Sequence, residues 1–146
     1  MANTSAMCTS FKQEILVATH NFTASTGNTF KIALYDSDAT LGASTTAYST
    51  SEEITNTSGT AYTAGGASLT SVTPTTSGTT AYCDFSPDIS WTSASFTANA
   101  ALIYNSSASN KAVCAIAFGG DKTVTNGTFT IQFPTADASD AIIRIA

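Results

Sequence analysis

Residues 95–134, SFTANAALIYNSSASNKAVCAIAFGGDKTVTNGTFTIQFP, decide the fold. Phe96, Ala98, Ala100, Leu102 and Tyr104 alternate with Thr97, Asn99, Ala101 and Ile103, the two-residue period of a strand. The next run, Lys111 to Phe118 (KAVCAIAF), is apolar on both faces, as a strand covered on both sides must be. Gly119-Gly120-Asp121 reads as the turn that ends it. Thr128 to Phe133 alternates again. Phe129, Ile131 and Phe133 face inward, Thr128, Thr130 and Gln132 face water, and Pro134 closes the strand. Three consecutive strands thus hold most of the bulky apolar residues.

Outward from this block, the chain reads as strands and loops laid against it. Thr29 to Tyr35 is a strand with Phe30, Ile32 and Leu34 inward and Lys31 and Ala33 outward. Residues 39–50 have no clear period and read as loop with room for one turn of helix, Glu52 to Thr55 as a short edge strand, and Asn56 to Gly66 as a glycine-punctuated loop. Leu69 to Thr73 and Thr79 to Phe85 pair as a hairpin across residues 74–78. Ile89 and Trp91 alternate on a short strand leading into the central block, and Ala141 to Ala146 (AIIRIA) reads as a final, internally paired strand. Near the N-terminus, Ser10 and Gln13 match a capping box ahead of a helix over Phe11 to Ala18, with a strand through Ile15-Leu16-Val17 as the rival reading. Residues 1–9 read as a flexible or extended arm and residues 10–146 as one domain. The expected fold is all-β: an antiparallel β-sandwich or jelly roll of about seven to nine strands with one short N-terminal helix.

Composition agrees with that class and limits function. Thr and Ser make up about a third of the 146 residues, and charged residues only 10%, against roughly a quarter in an ordinary domain. A hydrophobic content of 42% with 10% aromatics argues against disorder. The net charge is −5, and the five basic residues are scattered at Lys12, Lys31, Lys111, Lys122 and Arg144. No clustered basic face is available for nucleic acid or an anionic membrane. No apolar run is long enough to span a bilayer as a helix. Residues 1–20 lack the pattern of a signal peptide, so reduced thiols are expected at Cys8, Cys83 and Cys114, with Cys114 as a small core residue.

Candidate chemistry is sparse. His20 is the only histidine. With no supporting motif it reads as a helix-end or surface residue rather than a general base for Cys8 or Cys83. Neither a nucleophile elbow nor a phosphate loop is present. Asp36-Ser37-Asp38 has the first two ligand positions of a calcium loop without the rest, and an Asx-turn is the better reading. No paired-carboxylate motif and no cofactor site is expected. Asn3, Asn21, Asn56, Asn105 and Asn126 open N-x-[ST] triplets, which a Thr/Ser-rich chain produces by chance. The candidate binding residues are Tyr48, Tyr62 and Trp91, read as exposed aromatics that stack on a glycan or cover a subunit contact.

Three blocks resemble small structural proteins of tailed bacteriophages: SGTAYTAGG at residues 58–66 followed by Leu69, the stretch from Phe85 through Trp91 to Asn105, and Phe129 to Pro134 with Ala141 to Ile145. The resemblance covers most of the chain from Phe22 onward and rests on structural motifs. It implies a virion component such as a capsid cement or decoration protein, assembled in the host cytoplasm as a trimer or other homo-oligomer, a dimer included. Its partners would be the major capsid protein or other virion proteins, with no cofactor and no active-site residues to carry over. The arm of residues 1–9 would lie across a neighbour. The alternative is a tail or head-fibre module that binds a receptor or carbohydrate.

Overall fold

The computed structural model describes residues 2–55 and 59–146. Along the chain run β1 (Ala6–Met7), α1 (Thr9–Leu16), β2 (Phe30–Tyr35), β3 (Ala67–Ser68), β4 (Ser71–Ser77), β5 (Thr80–Phe85), β6 (Ile89–Asn105), β7 (Lys111–Ile131) and β8 (Ile143–Ile145). They form two antiparallel sheets, β1-β7-β6-β2-β3 and β4-β5-β8, so the all-β, sandwich-like class is the observed one.

The deciding stretch contributes two strands rather than three. Gly119-Gly120 does not end β7, which runs 21 residues against the 17 of β6. Between the pairs Ala98↔Lys122 and Ala100↔Ala117, β6 advances two residues while β7 advances five. Gly119 (φ 72°) and Gly120 (φ 137°) absorb the excess as a wide bulge. The strand then resumes because its alternation matches that of β6: Val124 pairs with Phe96, Phe129 with Trp91 and Ile131 with Ile89. The short strand expected at Ile89 is the start of this same long β6.

The face of the larger sheet that carries Phe30, Ile32 and Leu34 looks toward the smaller sheet and α1. Phe22 stacks on Phe30 with centroids 4.2 Å apart, and Phe85 lies 5.9 Å from Phe30. Phe11 of α1 meets Phe22 edge-on at 6.0 Å. Each such ring taken out of water contributes about 1.5–3 kcal/mol. The opposite face is covered too, by Leu41, Tyr48, Ile54 and Tyr62 from the long connection between β2 and β3. Ala33, expected outward, is therefore fully buried.

Two local expectations are corrected at the N-terminus. The arm is not free but lies on its own domain. Asn3 is buried and bonds to Asp36, Leu41 and Asn99, and β1 pairs with β7 at Ala6↔Ala115 and Met7↔Cys114. The chain stays extended through Cys8, whose N–H donates to the Val113 carbonyl. The helix consequently starts at Thr9 with Cys8 at the N-cap, and the Ser10 hydroxyl is buried without a partner instead of capping. In the hairpin, β4 runs on to Ser77 and the turn tightens to Gly78-Thr79. Pro74 is tolerated because the ladder shifts between Val72 and Thr75, where its missing N–H breaks no bond. Glu53 makes a single bridge to Tyr35 rather than a strand, and Asn56–Ser58 of the next loop lie outside the described residues.

Candidate functional site

Among the described residues, two buried polar clusters, an apolar pocket and a surface trio of acids bring together groups capable of chemistry. The first cluster is built on α1. Glu14 lies three residues after Phe11 on the apolar face of the helix and is therefore carried inside. One carboxylate oxygen receives Lys111 Nζ at 2.8 Å and the other receives His20 Nε2 at 2.8 Å. Burial pushes the Glu14 carboxyl up, but the two hydrogen bonds and the charges behind them outweigh it and hold the group below the ordinary carboxylate value. The His20 side chain is wholly buried, edge-on to Phe11 at 4.9 Å. Its Nδ1 takes a hydrogen bond from the Asn105 amide at 3.0 Å, and that amide also donates to Asn28 at 2.9 Å. His20 is thus neither a surface residue nor part of the helix. Its ring ties the segment after α1 to the end of β6, with both nitrogens engaged.

The second cluster centres on Glu53, which is 9% exposed. Tyr62 Oη donates to it at 2.7 Å, the Gly65 N–H at 2.7 Å and Tyr48 Oη at 2.6 Å. Tyr62 Oη in turn accepts the Leu34 N–H, and the Leu34 carbonyl accepts the Ile54 N–H, which closes the free edge of β2 beyond β3. Tyr104 Oη donates to the Gly65 carbonyl, and the Tyr48 ring stacks on Tyr104 at 4.6 Å. Burial first, then the nearby carboxylate, pushes the Tyr48 and Tyr62 phenols far above their usual range, so both stay protonated donors.

These positions correct the expectation of exposed aromatics. Tyr62 is 1% exposed and Trp91 8%, and Trp91 packs against Tyr62, Phe96 and Phe129. Tyr48 is half-buried with its ring face on Tyr104 and its hydroxyl on Glu53. Tyr62 and Trp91 are buried and offer no exposed stacking platform, and Tyr48 has one ring face taken by Tyr104. Each sits beside a loop that has to be anchored, and an amphipathic aromatic anchors a polar loop on an apolar sheet.

The pocket lies between the end of α1 and the smaller sheet. Its volume is about 120 Å³, and Ile15, Phe22, Pro74, Ile143 and Ile145 supply apolar walls. His20 and Cys83 also line it, the one pairing of histidine and thiol that a nucleophilic site would need. The chemistry of that pairing is unfavourable. His20 has both ring nitrogens occupied, and burial pushes the Cys83 thiol up to about 12, with Asp84 adding to the rise. Burial likewise raises Cys8 to about 11 and Cys114 to about 12. All three are free thiols inside the protein, Cys114 in the core as the sequence suggests.

Asp36, Asp38 and Glu52 bring carboxylate oxygens within 4.8 Å of one another at the surface, which is the geometry a cation could use. The Asp38 N–H bonds to Asp36 Oδ1 at 2.9 Å, the Asx-turn expected from Asp36-Ser37-Asp38. Glu52 as a third acid was not foreseen. Sequence reading also missed Glu14, Glu53 and Asn105. For Glu14 a signal existed, since an acid on the apolar face of a helix is either buried or wrong. Glu53 offered no signal, because Tyr48 and Tyr62 converge on it through loops without period. Comparison of the chain with protein-family models, curated proteins and solved structures found no match.

Proposed function

We propose that this chain is a structural protein of a tailed-bacteriophage virion, a cement or decoration subunit that stabilises the head through contacts with the major capsid protein. The observation that carries the reading is the use to which the buried polar groups are put. Glu14, His20 and Asn105, with the half-exposed Lys111, hold one end of the larger sheet, and Glu53 with its tyrosines holds the loop layer, both carboxylates and the His20 ring taking their hydrogen-bond partners from within the protein. Such clamps favour a rigid scaffold that needs no cofactor, and the phage-like blocks of sequence point the same way. The low charge and hydroxyl-rich strands suit broad contact with neighbouring subunits. The glycan-binding alternative is weakened, because its ring platforms Tyr62 and Trp91 are spent in the core.

Mass spectrometry and cryo-electron microscopy of purified particles from the phage that encodes the chain test this reading. The expected result is a stoichiometric surface layer that adds to the thermal stability of the head. A particle that lacks the chain altogether refutes it.

A further inference from the structure

Asn126 is the one asparagine of the chain that is followed by glycine. It is exposed, and it lies in the bulge where β7 advances three residues from Val124 to Gly127 while β6 advances two from Ala94 to Phe96. Its φ of 46° is in the left-handed region, which asparagine tolerates better than most residues. The Ser95 hydroxyl accepts the Asn126 N–H at 2.9 Å and donates to Asn126 Oδ1 at 3.4 Å. Among the described residues, no hydrogen bond holds the side-chain nitrogen Nδ2.

We propose that Asn126 is a site of spontaneous deamidation, with the chain's own backbone as nucleophile and water as co-reactant. Hydroxide takes the proton of the Gly127 main-chain nitrogen, and that nitrogen attacks Asn126 Cγ. The new N–Cγ bond closes a five-membered imide. The Cγ–Nδ2 bond breaks, and Nδ2 leaves as ammonia with a proton from water. A further water opens the imide at either carbonyl and gives aspartate or isoaspartate, with no change of oxidation state. Three features of the site favour this reaction. Gly127 has no Cβ to crowd its nitrogen. The Ser95 hydroxyl donates to the oxygen that gains charge as Cγ becomes tetrahedral. The leaving nitrogen has no partner to hold it. Other asparagines lack this combination. Asn3 and Asn105 are buried, the Asn99 amide is bonded to Asp121, and Asn110, exposed with φ 58°, is followed by Lys111. The product also fits the ribbon. The bulge already holds an unpaired residue, so the extra main-chain atom of isoaspartate is taken up between the pairs Phe96↔Val124 and Ala94↔Gly127. The net charge of −5 becomes one unit more negative, at a place facing water. This inference does not depend on the virion reading.

Incubation of the native full chain in mildly alkaline buffer, followed by peptide mapping with mass spectrometry, tests the proposal. Asn126 is expected to convert at least tenfold faster than Asn110 or any other asparagine. Part of the product should be isoaspartate, which an isoaspartyl methyltransferase labels, and the circular dichroism spectrum should stay unchanged. Gly127→Ala places a Cβ 3.2 Å from Val124 Cγ2, a contact that a small shift relieves, and should slow conversion at least tenfold. The same incubation in urea gives the rate of the unconstrained chain. Native protein that keeps Asn126 intact while the unfolded chain converts it overturns the proposal. Conversion without isoaspartate in the wild type does so too, as does a rate that Gly127→Ala leaves unchanged.

Discussion

Replacing Glu53 with alanine removes the acceptor of three hydrogen bonds at once. The Tyr62 and Tyr48 hydroxyls and the Gly65 N–H, at 2.6–2.7 Å from the carboxylate, lose their common partner in a site that is 9% exposed. A hydrogen bond to a charged group contributes about 1.5–3 kcal/mol, and each buried neutral donor left without a partner costs about 1–3 kcal/mol. Because Tyr48 is only half-buried and recovers water, the expected loss is about 4 kcal/mol. At this chain length that is a fall in Tm of roughly 8–16 °C. Glu53→Gln keeps an oxygen for Tyr62 and Gly65, and its amide can donate to Tyr48, so about 1–2 kcal/mol should be lost. Urea unfolding followed by fluorescence measures both. Trp91 is the only tryptophan and packs 5.8 Å from Tyr62, so it also reports whether the loop layer lifts before the sheets melt. If Glu53→Ala costs under about 1 kcal/mol, or no more than Glu53→Gln, the carboxylate is not the hub assigned to it.

Three further outcomes check other parts of the fold. Gly66 has φ 70°, and a Cβ there would lie 1.8 Å from the Ile32 carbonyl oxygen, so Gly66→Ala should detach β3 from β2 and cost over ~2 kcal/mol in a urea melt. The thiols of Cys8, Cys83 and Cys114 are buried and raised to about 11–12, so Ellman's reagent at pH 8 should find no reactive thiol in native protein and three in guanidinium. The Glu14 carboxyl is held below its unfolded value of 4.5, so its contribution is present above that value and lost as pH falls through the lower folded one. Glu14→Gln should therefore flatten the acid limb of stability below pH 4.5, and an unchanged slope in pH-dependent denaturation would contradict the Lys111 and His20 contacts as drawn.

How much of this was legible in the sequence depends on the range of the interaction. Period-two alternation set the strands β2, β6 and β7, because burial of one face is a local constraint on residues two apart. The Gly119-Gly120 signal misled for the same reason. A glycine pair permits a turn or a bulge, and only the match of Val124, Phe129 and Ile131 to the partner strand decides for the bulge. Ser10 and Gln13 fit a capping box, yet a strand pair formed by Met7 and Cys8 with β7 fixes where the helix begins. The clusters at Glu14 and Glu53 were illegible as sites, since Lys111 lies 97 residues from Glu14 and Tyr104 lies 39 residues from Gly65, and such groups meet only when the sheets are assembled. Aromatic residues in polar surroundings read as exposed, whereas here the polar neighbours are the lids that cover them.

The excess of threonine has a physical use that can be tested at the exposed face of the β6–β7 ribbon. Thr97 and Thr123 are directly paired and share a 2.8 Å hydroxyl contact, and Ser90 and Thr130 repeat the arrangement. An exposed hydroxyl pair adds little net stability, because water offers each group an equal partner. What threonine keeps is the β-branched shape that suits a strand, while leaving the outer face wet. The double change Thr97→Val with Thr123→Val preserves that shape and removes both partners together, so stability should move by no more than about 0.5 kcal/mol. Solubility should suffer instead, since valine on an open ribbon beside the unpaired edge of β7 creates a patch that other strands can cover. Light scattering against concentration, read beside a urea melt, separates the two effects. A loss above about 1 kcal/mol with solubility unchanged would make the hydroxyl ladder a structural element, and would overturn the view that threonine serves here to keep a long ribbon strand-like and wettable.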